Sequence, residues 1–534
     1  MPSGYQRKVL YQNDFFELVS IIWARGEISS SHNHGSSRCM VLIQEGQFEN
    51  IMDLGFKTES RLFIEGEVLE TPVGAKHSMH CISTSGKTLH VYTPKVLSKT
   101  EGRKFRTDQF SDLGENIDLK DAVSFEELKK LMELIKENSI STDSPYFMNQ
   151  LFAGVMPQMI LAEEILAQTR TTLATHEASP VFSKIEEEVV DSLGKIIGWS
   201  DELRDGVSVP GGSAANFMAV HCARHRAFPN MKSLGMGSVV FKVYVSAEAH
   251  YSMEKACSAL GIGTANLVKV PVDQSGRMNA ESLAEFIKKH RQEGATPLMV
   301  CATAGTTVQG AFDPFEKLAQ ICTDENLWLH VDAAWGGPAL FSKQLRPLTV
   351  GIEKADSVTF DAHKLFGANL TCSFFLTRHP GLLLRANDVS GGDYLFHGSE
   401  PDRGKMSWQC GRKADSFSFW SIWKSLGDQG LGNLVDQLVE IREQTLNWIE
   451  TQSRLQMVAD ASYLNICVRV VPPQNLLDPE NWSKHVREKL IQNNLCMVNY
   501  SQDAGGTFLR LILAHPYLKF QHVQQILTWA LAVE

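Results

Sequence analysis

The chain has 534 residues, of which 43% are hydrophobic and 21% are charged, and its formal net charge is −10 at neutral pH. This composition is that of an ordinary globular protein, so a collagen-like, disordered or coiled-coil chain is excluded. The acidic balance argues against a general nucleic-acid binder, and no run approaches the roughly 18 apolar residues that a membrane-spanning helix needs. Ten scattered cysteines and an N-terminus without an apolar core predict a cytoplasmic protein that has neither a disulfide framework nor a secretory signal.

The first hundred residues predict a small all-β domain. Four short runs rich in strand-forming residues are separated by Gly, Ser and Pro, and they read FFELVSIIWA, RCMVLIQEG, RLFIEGEVLE and KTLHVYTP. Short strands at close spacing are typical of a sandwich or a barrel. The polar, glycine-containing segment 99–118 then predicts a linker between two domains.

A different pattern follows the linker. Ser124 and Glu127 have the spacing of a helix capping box, and apolar residues then recur at helical intervals. Beyond residue 205, helical stretches alternate with the short apolar runs VVFKVYV, PLMVCA, LWLHVD, SVTF and CSFFL. Such runs predict buried strands of a mostly parallel sheet that is covered by helices.

The β-rich region contains a cluster of candidate metal ligands. His32 and His34 lie two positions apart, so on a strand their side chains share one face. His77, which follows a turn, is a third candidate, and neutral imidazole binds iron, copper, zinc or nickel well. A single pair of this kind is more often an ordinary surface or core feature than a metal site, so the whole order of residues carries the argument.

Three further residues alternate along the last predicted strand of this region. Thr88, His90 and Tyr92 therefore face the same way. Cys39 is an odd number of positions from His32 and His34, so on one regular strand its side chain faces the other way. It lies on the same face as the two histidines only if residues 35–37 form a bulge or a bend.

These features, in this order, resemble the cysteine dioxygenases, which are cupins (small jelly-roll barrels) that bind Fe(II) through three histidines. The resemblance covers roughly residues 5–97 and implies a barrel shortened at its N-terminus, with Thr88 in place of a serine of the family. It assigns His32, His34 and His77 to the metal, Cys39, His90 and Tyr92 to catalysis, and Arg7 to the carboxylate of the substrate. Whether Cys39 and Tyr92 are cross-linked, as in the family, stays open.

The second region contains residues that suit pyridoxal phosphate. Lys364 in SVTFDAHKLFG and Asp332 in LWLHVDAAWGG each follow or end a predicted strand, and ligands of open α/β sheets bind beyond the carboxyl ends of strands. A lysine binds the aldehyde of this cofactor, and a carboxylate keeps its pyridine nitrogen protonated. The Gly-rich turn at 210–219 predicts a phosphate site at a helix start, and His250 is a candidate for stacking on the ring.

The combination resembles the group II pyridoxal-phosphate decarboxylases over roughly residues 116–534, with cysteine sulfinate, glutamate and aspartate decarboxylases as the most similar members. The resemblance implies an α/β fold-type I transferase domain at 119–534, with a large part to about residue 430, a smaller C-terminal α/β part, and a homodimer. It assigns the cofactor to Gly212, Ser213, Ala214, Ala215, His250, Thr303, Asp332, Ala334, His363 and Lys364. It assigns the substrate to Gln150, Phe152 and Arg510, and catalysis to Lys364, His250 and the loop tyrosine Tyr394.

The two resemblances describe consecutive reactions, with the cupin at 1–98. Our hypothesis is a bifunctional enzyme of taurine biosynthesis that oxidises L-cysteine with O₂ to cysteine sulfinate and decarboxylates the sulfinate to hypotaurine. The alternative is an aspartate or glutamate decarboxylase whose cupin oxidises another thiol or acts only as a metal-dependent sensing module. The order of preference among cysteine sulfinate, cysteate, aspartate and glutamate stays open at this point.

Overall fold

The computed structural model divides into two compact units, residues 1–103 and 104–534. The residues that it describes are 6–12, 17–25, 27–29, 38–53, 58–71, 76–93, 105, 122–389, 392, 394–397, 402–473 and 479–533. Arg7 and Tyr92 belong to this set through their backbone only.

The described part of the first unit consists of strands, turns and bends. Its strands are β1 (Gln6–Gln12), β2 (Glu17–Ala24), β3 (Arg38–Glu45), β4 (Phe48–Asp53), β5 (Thr58–Phe63), β6 (Val68–Thr71), β7 (Lys76–Cys81) and β8 (Ser85–Thr93). They form a five-stranded sheet in the order β1-β2-β8-β3-β6 and a three-stranded sheet in the order β5-β4-β7. The predicted strand-rich first domain is therefore confirmed, while its assignment as a cupin stays a prediction.

Alternating apolar residues explain how the first unit forms its core. In β2, Val19, Ile21 and Trp23 are buried whereas Ile22 is exposed, which is the period of a half-buried strand. The indole of Trp23 meets the ring of Phe48 edge-on at 5.5 Å, so the core is shared by the two sheets. The run RLFIEGEVLE is not one strand, because a turn in the middle of it sends β5 and β6 to different sheets.

The second unit contains helices and strands in alternation. Its helices are α1 (Phe125–Asn138), α2 (Pro157–Thr169), α3 (Pro180–Ile197), α4 (Gly212–Ala227), α5 (Met231–Leu234), α6 (Ser252–Ala259), α7 (Ala280–Gln292), α8 (Phe315–Asp324), α9 (Leu382–Asn387), α10 (Ser416–Glu450), α11 (Trp482–Gln492) and α12 (Phe520–Leu531). Its strands are β9 (Phe147–Met148), β10 (Asp205–Pro210), β11 (Phe241–Ser246), β12 (Leu267–Val270), β13 (Thr296–Thr303), β14 (Trp328–Ala333), β15 (Ser357–Asp361), β16 (Cys372–Thr377), β17 (Leu455–Met457), β18 (Asn465–Val470), β19 (Met497–Asp503) and β20 (Gly506–Ile512). The predicted capping box of Ser124 and Glu127 opens α1.

A seven-stranded sheet is the centre of the second unit, in the order β10-β16-β15-β14-β13-β11-β12. Strands β11 to β15 run parallel, and β16 is antiparallel to both of its neighbours. In β13, Val300 packs into one hydrophobic cluster and Met299 and Cys301 pack into another, so both faces of the strand are covered. Continuous apolar strands of a parallel sheet require this double cover, and the predicted α/β core is confirmed.

A second sheet follows in the C-terminal part, with the order β17-β18-β20-β19-β9. The long helix α10 leads to it and bends at Gly427. Strand β9, which lies more than three hundred residues earlier in the chain, pairs with β19 in parallel and thereby brings the segment after Met148 close to β20. Among the described residues, no helix is both long and apolar enough to cross a membrane.

Candidate active site

A cavity of about 310 Å³ lies at one edge of the seven-stranded sheet. Because β13, β14 and β15 run parallel, their carboxyl ends reach the same edge, where ligands bind in open α/β sheets. The predicted cofactor residues that line this cavity are Gly212, Ser213, His250, Thr303, Asp332, Ala334, His363 and Lys364. The other two, Ala214 and Ala215, are residues of α4 that pack into a hydrophobic cluster, and Ala215 is fully buried.

Asp332, near the end of β14, is held in one orientation. Its Oδ2 accepts a hydrogen bond from Nδ2 of Asn216 at 2.7 Å, and its Oδ1 accepts one from the backbone N–H of Ala334 at 3.1 Å. The same amide nitrogen of Asn216 donates to Ser252 at 2.8 Å, so the amide oxygen faces the other way and accepts from the hydroxyl of Thr359. A fixed, buried carboxylate is what a protonated pyridine nitrogen needs as its partner.

A chain of hydrogen bonds approaches this carboxylate from behind. Nε1 of Trp328 donates to the hydroxyl oxygen of Ser357 at 2.9 Å. The hydroxyl group of Ser357 in turn donates its proton to Nδ1 of His330 at 2.8 Å. Nε2 of His330 then donates to the amide oxygen of Asn216 at 3.0 Å. Burial lowers the pKa of His330 to about 4 although Asp332 opposes the shift, so the ring is neutral at neutral pH and every group donates toward Asp332.

The Gly-rich turn between β10 and α4 forms an anion cradle. Gly211, before the helix, has a φ of 98°, a conformation that side chains rarely adopt. A Cβ added to Gly212 would lie 2.7 Å from Oδ2 of Asp361, so only glycine fits this approach. The N–H of Ala214 donates to the backbone oxygen of Gly211 at 2.9 Å, so the N–H groups of Gly212 and Ser213, together with the helix dipole, are the ones that favour a phosphate.

Lys364 lies just beyond the end of β15. Its Nζ is 3.2 Å from Oδ2 of Asp361, and the hydroxyl of Ser373 donates to Oδ1 of the same carboxylate at 2.6 Å. Nδ1 of His363 faces the backbone oxygen of Cys372 at 2.9 Å, so this nitrogen carries a proton. Asp361 is not among the residues predicted from the sequence, although it stands within the lysine motif three residues before Lys364.

His250 enters the cavity from the segment after β11. Its Nδ1 accepts the backbone N–H of Ser252 at 3.3 Å, so the neutral ring carries its proton on Nε2. Burial lowers the pKa of His250 more than Asp332 raises it, which favours this neutral form. A neutral ring can stack on a protonated cofactor ring without charge repulsion.

An unpaired hydroxyl in the cavity supports its fit to pyridoxal phosphate. Oγ1 of Thr303 is buried and has no hydrogen-bond partner among the described residues, although such hydroxyls are rarely left unpaired. This hydroxyl stands at the end of β13 and lines the cavity that contains Lys364 and Asp332. A ligand with a polar oxygen on an aromatic ring would satisfy it.

The predicted substrate residues lie outside the cavity lining. Arg510 on β20 is 7% exposed and donates to the backbone oxygens of Thr307 at 2.9 Å and Asn149 at 3.0 Å. Thr307 itself lines the cavity, so the guanidinium stands directly behind its wall, and its Nε is buried without a partner among the described residues. Gln150 is exposed, and Phe152 is half-buried and packs against Phe147.

Tyr394 is 79% exposed and is not part of the cavity wall. Residues 390, 391, 393 and 398–401 around it lie outside the described residues. Its predicted role in proton delivery therefore stays a prediction.

Comparison with known proteins identifies the second unit. The sequence profile of the pyridoxal-dependent decarboxylase conserved domain matches residues 117–471. The chain belongs to the pyridoxal-dependent decarboxylase family. Its second unit is an α/β pyridoxal-phosphate-dependent amino-acid decarboxylase, as the motifs around Lys364 and Asp332 predict.

Three relatives of this decarboxylase illustrate the similarity. The chain is 33% identical to the mouse acidic amino acid decarboxylase GADL1 over 92% of each protein. It is 35% identical to the human cysteine sulfinic acid decarboxylase over 76% of this chain and 86% of that protein. The crystal structure of mouse CSAD in its apo form superposes with a TM-score of 0.77 at 32% identity, covering 81% of this chain and 93% of the other.

The first unit, which precedes the decarboxylase profile, contains a buried polar line. Nε1 of Trp23 donates to Oγ1 of Thr88 at 2.8 Å, and Oγ1 of Thr88 lies 2.8 Å from Nε2 of His90. Sγ of Cys39 is 3.9 Å from Nδ1 of His90. The backbones of Cys39 on β3 and Tyr92 on β8 are direct register partners.

The predicted metal ligands of the first unit are only partly within the described residues. His77 on β7 is buried, and its Nδ1 lies 2.9 Å from Oδ1 of Asn50. His32 and His34 lie outside the described residues, as does the side chain of Arg7. Within the part of the chain that the structure describes, no group of three or more His, Cys, Asp or Glu side chains is arranged to hold a metal.

Proposed function

We propose that the decarboxylase unit removes the α-carboxylate of a small acidic amino acid, with cysteine sulfinate as the preferred substrate. The observation that carries this proposal is the convergence of Lys364, Asp332, His250 and the anion cradle on one cavity, with the buried Arg510 behind its wall. A decarboxylase substrate with a second acid group needs a fixed cation beside the cofactor, and Arg510 is suited to this role. The names of the relatives, which include acidic amino acid and cysteine sulfinic acid decarboxylases, agree with it.

Each residue of the cavity has a role that follows from its contacts. Bound pyridoxal phosphate supplies an electron sink for the pair of electrons that decarboxylation leaves on the substrate. Asp332, held by Asn216 and Ala334, would keep the pyridine nitrogen protonated, and Lys364 would hold the aldehyde end of the cofactor. His250 would cover one face of the ring and exclude water from it.

Protonation of the substrate carbon requires an acid that reaches the cavity from outside its wall. The side chain of Tyr394 is exposed, and its movement over the cavity would bring its hydroxyl to the α-carbon. The proton must go to that carbon because the product amine carries a hydrogen there in place of the lost carboxylate. Gln150 and Phe152 would bind the rest of the substrate from the segment after β9.

We further propose that the first unit oxidises L-cysteine to cysteine sulfinate with O₂ at an Fe(II) site formed by His32, His34 and His77. Support comes from the buried line of Trp23, Thr88 and His90, and from the register pairing of Cys39 with Tyr92. Arg7 would bind the carboxylate of cysteine. Three neutral ligands leave the metal its full charge, which favours a substrate thiolate.

The two reactions together would produce hypotaurine from cysteine within one chain. Family resemblance also leads us to expect a homodimer, and the exposed Ile160 and Leu161 on α2 supply an apolar surface for one. A second candidate is an aspartate decarboxylase, because a relative that matches 92% of this chain carries the broader name acidic amino acid decarboxylase.

The experiment that tests the proposal follows sulfinate and hypotaurine over time after cysteine is added to aerobic, iron- and cofactor-loaded protein. Lys364→Ala should accumulate sulfinate without hypotaurine, whereas His34→Ala should leave cysteine unchanged and still decarboxylate added sulfinate. Hypotaurine formed from cysteine by the His34 variant would contradict the iron site. Faster turnover of aspartate than of sulfinate by the unmodified enzyme would favour the second candidate.

A further inference from the structure

Asp361 is a second carboxylate in the decarboxylase cavity, and the roles proposed above leave it without one. It is the last residue of β15 and is 1% exposed. Both of its oxygens are engaged, one by the hydroxyl of Ser373 at 2.6 Å and the other by Nζ of Lys364 at 3.2 Å. The amine that must capture the cofactor is therefore in contact with a carboxylate.

The same carboxylate also stands against the start of α4. An added Cβ on Gly212 would lie 2.7 Å and 2.9 Å from its two oxygens, so Asp361 directly borders the first helical residue. This is the end of the helix where free N–H groups and the dipole attract an anion. A phosphate group bound there would be a second anion at close range, and like charges in a buried site repel each other strongly.

We propose that Asp361 competes with pyridoxal phosphate for both of its anchors, the amine of Lys364 and the start of α4, and so weakens and slows cofactor binding. The inference rests on the assignment of this cofactor to the cavity. The ammonium of Lys364 must leave Asp361 and release one proton to solvent before its nitrogen can bond to the aldehyde carbon. The aldehyde oxygen leaves as water, which takes up the two remaining protons of the amine.

The competition is tested with Asp361→Asn in the full-length protein after removal of the cofactor. Asparagine keeps the size of the side chain and an acceptor for Ser373, but it has no charge, and its N–H₂ can donate to a phosphate. We expect the dissociation constant for pyridoxal phosphate to fall by about tenfold or more, and covalent capture to become faster. Cofactor absorbance gives both quantities, and borohydride trapping followed by mass spectrometry confirms attachment at Lys364.

Binding of a second ligand, pyridoxal, separates the effect of Asp361 on Lys364 from its effect at the start of α4. Pyridoxal has the aldehyde but no phosphate, so its binding reports only the contact between Asp361 and Lys364. The gain of the Asp361→Asn variant should therefore be larger for pyridoxal phosphate than for pyridoxal. An equal gain for both ligands would overturn the part of the proposal that concerns α4.

A matched control lies at the opposite end of the same strand. Asp356, directly before β15, is also buried, but it contacts Arg226 and His379 and does not line the cavity. Asp356→Asn should bind pyridoxal phosphate as the unmodified protein does, and melting temperatures show whether each variant folds. An Asp361→Asn variant that folds but binds the cofactor equally well or more weakly overturns the proposal. Failure of the unmodified protein to bind it at all would instead reject the cofactor assignment.

Discussion

Asn216 shows how much one buried amide contributes to the cavity. Its amide oxygen accepts hydrogen bonds from His330 and Thr359, and its amide nitrogen donates to Asp332 and Ser252. These four bonds fix the orientation of the amide group. A hydrogen bond to a charged group contributes about 1.5–3 kcal/mol. Asn216 therefore positions Asp332 without itself belonging to the cofactor residues predicted from sequence.

Replacement of Asn216 by alanine should lower kcat by about 10- to 100-fold while KM for the amino acid changes little. The reason is that Asp332 loses the donor that orients it toward the pyridine nitrogen, whereas the substrate contacts remain. Steady-state kinetics with saturating cofactor measure this. Asn266→Ala, at a partly buried site that does not line the cavity, serves as the control. If kcat of the Asn216 variant stays within twofold of that of the unmodified enzyme, the positioning role is refuted.

At the scale of a single element, the start of α4 shows how backbone geometry forms an anion site. The chain leaves β10 and enters the helix within two residues, and it does so through a backbone conformation at Gly211 that glycine alone adopts without strain. This tight turn places Gly212 and Ser213 in the lining of the cavity at the edge where the parallel strands end. The element thus creates an anion site by its geometry, before any charged side chain contributes.

Gly211→Ala should reduce affinity for pyridoxal phosphate because the strained turn relaxes and displaces the N–H groups of Gly212 and Ser213. Gly235→Ala is a matched control, since both glycines have a positive φ and extended ψ, and an added Cβ at Gly235 meets no atom within 4 Å. Each variant should lose about 1–3 kcal/mol of stability, measured by urea unfolding. Only Gly211→Ala should also weaken cofactor binding in an absorbance titration, and equal affinities for both variants would contradict the role of the turn.

At the scale of the whole second unit, a buried ion pair joins distant segments. Glu186 on α3 is fully buried and bonds to Arg403 at 2.9 Å and to Arg412, two residues of the segment that follows Tyr394. The backbone N–H of Ser208 on β10 donates to the same carboxylate at 2.7 Å. Burial alone would raise the pKa of Glu186, but the two arginines lower it from 4.5 to about 2.

This linkage predicts the pH dependence of stability. A folded-state pKa below the unfolded value means that the contribution of Glu186, about 3 kcal/mol, is present above pH 4.5 and is lost as the pH falls toward 2. Glu186→Gln should therefore be less stable than the unmodified protein by roughly 3–5 kcal/mol at neutral pH, with the difference narrowing in acid.

Urea unfolding from neutral pH to about pH 3 measures that difference. Glu187→Gln is the control, because Glu187 is exposed and pairs with the exposed Lys184 at the surface. A difference between the Glu186 variant and the unmodified protein that stays constant over the whole pH range would contradict the linkage.

Much of the secondary structure of the decarboxylase unit could be predicted because the patterns that indicate it lie within short stretches of sequence. Apolar runs alternate with helical periodicity, so the five predicted strands appear as β11 and β13 to β16, and the capping residues of α1 lie where their spacing indicates. Lys364 and Asp332 could be placed at one edge because the carboxyl ends of parallel strands meet there. The first unit, by contrast, shows the predicted strands, while its metal site stays a prediction because His32 and His34 lie outside the described residues.

The amino-acid sequence alone was sufficient to predict which segments are strands or helices and to which family the chain belongs. Strand and helix periodicity and short motifs are properties of neighbouring residues, so no tertiary structure is needed to recognise them. The pairing of Asp361 with Lys364, the hydrogen-bond chain through Asn216 and the position of Arg510 behind Thr307 were set by folding. These contacts join side chains up to several hundred positions apart, or depend on which way a side chain turns at the end of a strand. Packing of the sheet, with the burial and the fixed orientation of its polar groups, is the physical cause that selects them.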